Sequence, residues 1–161
     1  MQFGTVINME LNFIGDCTEE QANTTFHAAS VTAVVEMNGK TLYVKKRSST
    51  TLELPSVSVG EGESPSDALK RLLENSLNTT EVSARFVSAY SIADGQNIRN
   101  GVLYLVEISS MRTLNDHELC ASYFLDMPPE SRDKWTSPET DIPLLEKAMV
   151  TSKNLLHGRF L

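Results

Sequence analysis

The stretch LPSVSVGEGESPSDALKRLLENSLNT, residues 54–79, predicts a tight loop followed by an amphipathic helix. Ser64 is a favourable N-cap residue, and Pro65 suits the first helical position. Leucines recur at helical spacing and form the expected buried stripe: Leu69, Leu72, Leu73 and Leu77. Asn78 is a suitable end, because asparagine enters the left-handed conformation. The pattern predicts one helix over residues 64–78.

The residues before this loop predict a β-hairpin. Residues 31–36 and 41–47 are two β-rich runs, and the Asn-Gly pair between them is the strongest short hairpin signal. A third, short strand is expected at LELP, which ends at Pro55.

Two further β-rich runs follow the helix, at residues 81–92 and 102–109. The segment between them contains Asp94-Gly95 and Asn100-Gly101, and both pairs predict a reversal of the backbone. Together with the hairpin, these runs indicate a sheet of several strands.

The C-terminal third predicts one more strand and one more helix. ASYFLDMPP has the composition of a strand that is stopped by two prolines, and residues 142–156 form an apolar, helical pattern. The intervening PPESRDKWTSPETD is expected to be a mobile loop. Its single Trp135 is expected to pack back on the domain rather than to stack on a ligand.

The N-terminal segment alternates apolar and polar residues loosely and predicts a strand or a hairpin arm, whereas residues 17–25 are polar without periodicity. We treat residues 1–161 as a single domain with an N-terminal extension over residues 1–25. A strand outside the common core is able to pair between subunits, so a homodimer is one expected assembly.

Composition excludes several classes of protein. The chain has 161 residues and a formal net charge of −7, which disfavours binding to nucleic acid. No apolar run reaches the length of a membrane span. Cys17 and Cys120 are too few for a disulfide framework or a zinc site, which favours reduced thiols in a cytoplasmic protein.

The order of hairpin, Leu-Pro, glycine- and glutamate-rich loop and capped helix resembles the Nudix family. That family's box reads G-x5-E-x7-R-E-U-x-E-E-x-G-U, where U is aliphatic, and it usually follows Leu-Pro-Gly. The resemblance implies an α/β fold, an α/β/α sandwich with a mixed β-sheet. Active members of the family hydrolyse nucleoside diphosphates linked to another group, with magnesium or manganese. In weaker form the resemblance extends over residues 31–156.

The match is good in the loop and fails in the helix. Gly62 and Glu63 fit the beginning of the box, and Arg71 fits its arginine. The family's metal-binding glutamates are replaced at all three positions, by Leu72, Asn75 and Ser76. The glycine positions after Leu-Pro and the last two box positions also differ: Ser56, Val57, Asn78 and Thr79.

The box keeps the residues of a structural contact and lacks those that bind metal in the family. The resemblance implies that Glu63 and Arg71 brace the loop against the helix through a charge-assisted contact. Magnesium requires several oxygen ligands, usually carboxylates, so the loss of three glutamates removes the expected metal site. Glu74 lies one residue before the Glu-Glu pair, which turns it away by about 100° in an α-helix.

Two functions remain open. The first is a catalytically impaired or inactive domain that binds a nucleotide-like phosphate ligand or a protein partner, with Arg47, Glu61 and Arg71 as candidate ligand contacts. No metal or cofactor is expected for it.

The alternative is a metal-dependent pyrophosphohydrolase with displaced ligands. Its candidate catalytic residues are Glu63 and Glu74, and Glu118 joins them as a third candidate ligand for magnesium or manganese. Glu61, in the same loop as Glu63, is a further candidate.

Overall fold

The computed structural model describes residues 9–80, 82–114 and 118–160, with side chains up to residue 153. In these ranges the strands are β1 (Met9–Ile14), β2 (Ser30–Met37), β3 (Lys40–Lys46), β4 (Ser56–Ser58), β5 (Val82–Asp94), β6 (Asn97–Ile108) and β7 (Leu119–Leu125). The helices are α1 (Glu19–Thr24), α2 (Pro65–Arg71), which continues as a π-helical turn (Leu72–Ser76), a 3-10 turn (Arg132–Lys134) and α3 (Pro138–Phe160).

The strands form one mixed sheet in the order β1-β5-β6-β2-β3-β7, with β4 also paired to β2. Strands β2 and β6 are parallel, and the other neighbours are antiparallel. The central strands are buried on both faces because helices cover both sides. No helix in the described ranges is long and apolar enough to cross a membrane.

Alternate side chains of β2 supply two separate hydrophobic clusters. Val31, Ala33 and Val35 pack with the leucines of α2 and the π-helical turn. Val34 points to the opposite face and packs with Leu144 and other residues of α3. The α/β/α sandwich with a mixed sheet, predicted from the sequence, is therefore confirmed.

The predicted hairpin is present, and its turn has the expected conformation. Asn38 and Gly39 have φ angles of 53° and 80°, as a tight hairpin turn requires. The strand expected at LELP is displaced: Glu53 forms only a single bridge with Val44, and β4 begins at Ser56. Because Pro55 has no N–H to donate, the hydrogen-bonded pairing of β4 with β2 begins at the next residue, Ser56.

One of the two predicted reversals between β5 and β6 is wrong. Gly95, with φ of 64°, forms the turn after Asp94. Asn100 and Gly101 instead lie inside β6, where Gly101 is opposite Tyr90 of β5. Glycine occurs here because the backbone is closely approached by an aromatic ring, not because the chain reverses.

The N-terminal extension contains two regular elements. The predicted strand is β1, which pairs antiparallel with β5; the first residues of that prediction lie outside the described ranges. Residues 17–25, which are polar and without periodicity in the sequence, contain α1. This helix begins with a reciprocal capping box between Thr18 and Gln21. The capping box is a helix signal in the sequence, but no apolar periodicity follows it.

The predicted helix over residues 64–78 is present with one correction. It changes from α to π at Leu72, and the N–H of Leu77 donates to the Leu72 carbonyl at 3.0 Å. All four leucines of the stripe are buried. Asn78, with φ of 56°, ends the helix in the left-handed conformation that was predicted.

The C-terminal loop is more ordered than the sequence indicates. Helix α3 begins at Pro138, not near residue 142, because proline suits the first helical position and the Ser137 carbonyl accepts from the N–H of Asp141. Trp135 is buried edge-on against Tyr43, with ring centroids 5.6 Å apart. The expected packing of this tryptophan on the domain is confirmed.

Candidate functional site

A cavity of about 940 Å³ lies where β2 and β4 meet the C-terminal end of the α2 segment and the start of α3. This volume is typical of a small-molecule site. Hydroxyl groups and charges line much of it, including those of Thr32, Lys46, Glu53, Tyr90, Arg99 and Asp141. The cavity is therefore suited to a polar ligand.

Glu63 and Arg71 form the brace that the resemblance implies. The Arg71 guanidinium donates from Nε to Glu63 Oε2 at 3.0 Å and from Nη2 to Glu63 Oε1 at 2.9 Å. The same Nη2 donates to the Ser58 carbonyl at 2.7 Å, and the Gly60 N–H donates to Glu63 Oε1 at 2.9 Å. The loop is thus tied to both β4 and α2. Gly62, with φ of 74°, allows the turn.

These bonds fix the charge of Glu63. Hydrogen bonds from Arg71, and then from the Gly60 N–H, lower the pKa of Glu63 from 4.5 to about 2. A carboxylate with so low a pKa is a weak base near neutral pH, and both its oxygens are already engaged. The geometry gives Glu63 a structural role.

At the three box positions that carry glutamates in the family, the helix of this protein has no carboxylate. Leu72 is only 2% exposed and belongs to the core beneath the sheet. Asn75 and Ser76 line the large cavity but carry no charge. The helix thus presents neutral side chains to the position where a metal site would lie.

The candidate ligands of the displaced-ligand alternative do not share a site. Glu118 lines the large cavity, whereas Glu74 faces a separate one of about 220 Å³ beside Glu19 and Tyr104. Glu63 lines a third cavity of about 310 Å³. Within the described ranges, no three Asp, Glu, His or Cys residues are grouped as metal ligands. This donor set does not fit magnesium or manganese, which require several converging oxygens.

Of the predicted ligand contacts, Arg71 lines the large cavity, with part of its guanidinium engaged in the brace. Glu61 and Arg47 are exposed. The neighbour of Arg47, Lys46, supplies a cation to the cavity wall instead. The Arg47 N–H joins the strand edge by donating to the Glu118 carbonyl at 2.8 Å.

Sequence reasoning missed the most buried polar residues of the cavity. Tyr90 is 2% exposed and hydrogen-bonds Thr32 through its hydroxyl, at 3.1 Å. Glu53 and Asp141 are 8% and 9% exposed. The Gly101 that accommodates Tyr90 was visible in the sequence, but its Asn-Gly context indicated a turn.

Asp141 has the most altered carboxyl group of the cavity. Burial, reinforced by the charge of Glu53, raises the pKa of Asp141 from 3.8 to about 7. Its Oδ2 accepts from the Leu54 N–H at 3.0 Å, which opposes this shift without cancelling it. Asp141 is therefore about half protonated close to neutral pH.

Solved structures with the same fold include several Nudix proteins. A Bacillus subtilis pyrophosphohydrolase, BsRppH, superposes with a TM-score of 0.70 at 17% identity, over 89% of this chain and 90% of that one. The NUDIX domain of Shewanella oneidensis NrtR, complexed with ADP ribose, superposes with a TM-score of 0.60 at 15% identity, over 77% and 87%. A NUDIX hydrolase from Nitrosomonas europaea gives 0.56 at 17%, over 76% and 88%.

The chain therefore has the Nudix fold. No family model matches the sequence, and no curated protein matches it. At such low identities the likeness concerns the fold, so activity has to be argued from the cavity itself.

Proposed function

We propose that this protein is a Nudix-fold binding domain that holds a nucleotide-like phosphate compound in the large cavity and hydrolyses it feebly or not at all. One observation carries the proposal. The brace between Glu63 and Arg71 keeps the loop and cavity intact, whereas the helix presents Leu72, Asn75 and Ser76 where the box has carboxylates.

The cavity supplies the contacts that such a ligand needs without a metal. Arg99 of β6 lines it as a cation and forms no ion pair with another described residue. The hydroxyls of Thr32 and Tyr90 are able to bond a sugar or a phosphate oxygen. Because an arginine binds phosphate through charge-assisted hydrogen bonds, we assign Arg99 to the phosphate end.

The structural neighbours support the ligand class. One of them is solved with ADP ribose and another is a pyrophosphohydrolase. ADP ribose, ADP and AMP are therefore the first probes. Arg47 and Glu61 stay predicted contacts, and titration of Arg47→Gln and Glu61→Gln with the same compounds tests them.

The test is calorimetric titration of these three compounds with EDTA present. We expect saturable binding to the wild-type chain, and Arg99→Gln should weaken it about tenfold, because a charged hydrogen bond is lost. Arg85→Gln is the matched control, since Arg85 is an exposed residue of β5 outside the cavity wall. Absence of binding for every probe, or equal losses in both variants, contradicts the proposal.

A further inference from the structure

Glu53, which lines the large cavity, has a carboxylate oxygen without a hydrogen-bond partner among the described residues. Its Oε1 lies 3.3 Å from Lys46 Nζ, and its side chain is 10% exposed. Its Oε2 is buried and has no hydrogen-bond partner among the described residues. The neighbouring carboxyl, that of Asp141, bonds the Leu54 N–H and Thr140, and acts on Glu53 through charge.

A buried acceptor without a donor lowers the stability of the fold. A buried charged oxygen without a donor loses its hydration and gains nothing in return, so such atoms are rare in folded proteins. The backbone of Glu53 is held in place, since its N–H and carbonyl both bond Val44 at 2.9 Å. The side chain therefore cannot leave the cavity by a small shift of the chain.

The surroundings define what a ligand must bring to this oxygen. Lys46 offsets one negative charge, and Asp141 contributes a second carboxyl beside Glu53. A phosphate or a carbonyl oxygen would meet like charge or an opposing lone pair there. An N–H or O–H donor completes the Glu53 carboxylate.

We propose that Glu53 Oε2 accepts a hydrogen bond from the exocyclic amino group of a purine base on the bound ligand. This rests on the proposed function, in which the ligand is nucleotide-like. The arrangement orients the ligand, because the acidic corner repels the phosphate toward Arg99 while it holds the base. It also gives specificity: a purine that lacks the amino group loses this hydrogen bond.

Three mononucleotides that differ at positions 6 and 2 of the purine, AMP, GMP and IMP, test the proposal by calorimetry. IMP lacks the 6-amino group of AMP and the 2-amino group of GMP. We expect the wild-type chain to bind one of the amino-bearing nucleotides at least about tenfold more tightly than IMP. The better of the two identifies which amino group reaches Glu53.

The Glu53→Gln variant should reduce or reverse this preference, because an amide N–H donates to the carbonyl of IMP and repels no lone pair. Glu146→Gln is the control: it makes the same chemical change at an exposed position of α3. If Glu53→Gln fails to fold, equal affinities of AMP, GMP and IMP for the wild-type chain still contradict the amino subsite.

The outcomes separate the two proposals. If AMP, GMP and IMP bind equally and Glu53→Gln changes nothing, the nucleotide site stands and the amino subsite is wrong; a trapped water then satisfies Oε2. If no nucleotide binds, the proposed function itself fails. Preference for an amino-bearing base that Glu53→Gln abolishes supports both.

Discussion

The ring of Tyr90 lies directly over Gly101 on the neighbouring strand. A Cβ at residue 101 would overlap Cζ and the hydroxyl oxygen of Tyr90. The two residues are partners in the β5–β6 register, and Tyr90 forms part of the cavity wall. The absence of a side chain at residue 101 thus determines where this aromatic ring stands.

Gly101→Ala should therefore destabilise the fold and disturb the cavity together. Overpacking a filled core typically costs about 1–3 kcal/mol, and here the ring must move away from Thr32, to which it hydrogen-bonds. Chemical denaturation measures the loss of stability. Gly15→Ala is the control, because a Cβ there meets nothing within 4 Å.

A double-mutant cycle identifies the cause. In a Tyr90→Ala background the ring is absent, so the additional cost of Gly101→Ala should nearly vanish. Equal costs in both backgrounds would assign the effect of Gly101→Ala to the strand backbone instead of the ring.

The fold was more predictable than the site, and this comparison shows why. Periodic leucines, the Asn-Gly turn and the capped start of α2 are local signals, and each appears in the structure. The position of Gly101 inside β6 depends on Tyr90, eleven residues away in sequence, and no local rule contains that contact. Asn-Gly pairs usually form turns, as Asn38-Gly39 does, and the sequence near residue 101 contains nothing that distinguishes the two pairs.

The proximity of Glu53 and Asp141 in the cavity was also unpredictable from local sequence. Glu53 and Asp141 are 88 residues apart in sequence. They meet because α3 begins at Pro138 and its Asp141 bonds the N–H of Leu54, the residue after Glu53. The Glu63–Arg71 brace, by contrast, spans eight residues and was predictable from the resemblance to the Nudix box. Sequence separation, more than chemistry, determined which functional contacts could be anticipated.

The brace should make stability depend on acid. The folded pKa of Glu63, about 2, lies below the ordinary value of 4.5. Its contribution is therefore present above about pH 4.5 and is lost as the pH falls through 2. Arg71→Gln should lower the melting temperature at pH 6, and the difference from wild type should shrink toward pH 2. Lys70→Gln, an exposed neighbour, should show no such trend.

Asp141 should have the opposite pH dependence. Its folded pKa, about 7, is raised above the ordinary 3.8, so the folded state holds a proton that the unfolded state releases. Stability from this group falls as the pH rises from about 4 to 7 and then levels off. Relative to wild type, Asp141→Asn should become progressively more stable over that interval. Thermal melts at several pH values measure this, with Glu146→Gln as the control; a constant difference would contradict the raised pKa.

Restoring a glutamate at residue 72 should fail structurally. Leu72 is 2% exposed within the core, so Leu72→Glu buries a carboxylate without a partner and should cost about 3 kcal/mol or more. Leu72→Met, which keeps volume and polarity, should cost less than about 1.5 kcal/mol. Denaturant melts of the two variants make the comparison. Equal stability of Leu72→Glu and wild type would show that residue 72 is able to turn toward the cavity.

The two other box positions offer a direct test of the catalytic loss. Asn75 and Ser76 line the large cavity, so Asn75→Glu combined with Ser76→Glu should bring two carboxylates together and create manganese binding. We expect no such binding to the wild-type chain. Asn75→Gln with Ser76→Gln is the matched neutral control. Removal of even one group that stabilises transition-state charge typically costs about 10²–10³ in rate, so wild-type hydrolysis of ADP ribose to AMP and ribose 5-phosphate should be near background. Robust manganese-dependent turnover by the wild-type chain, abolished by Glu63→Gln with Glu74→Gln, would instead establish the displaced-ligand hydrolase. Turnover that appears only in the double glutamate variant would show that the cavity still orients a substrate whose metal ligands are missing.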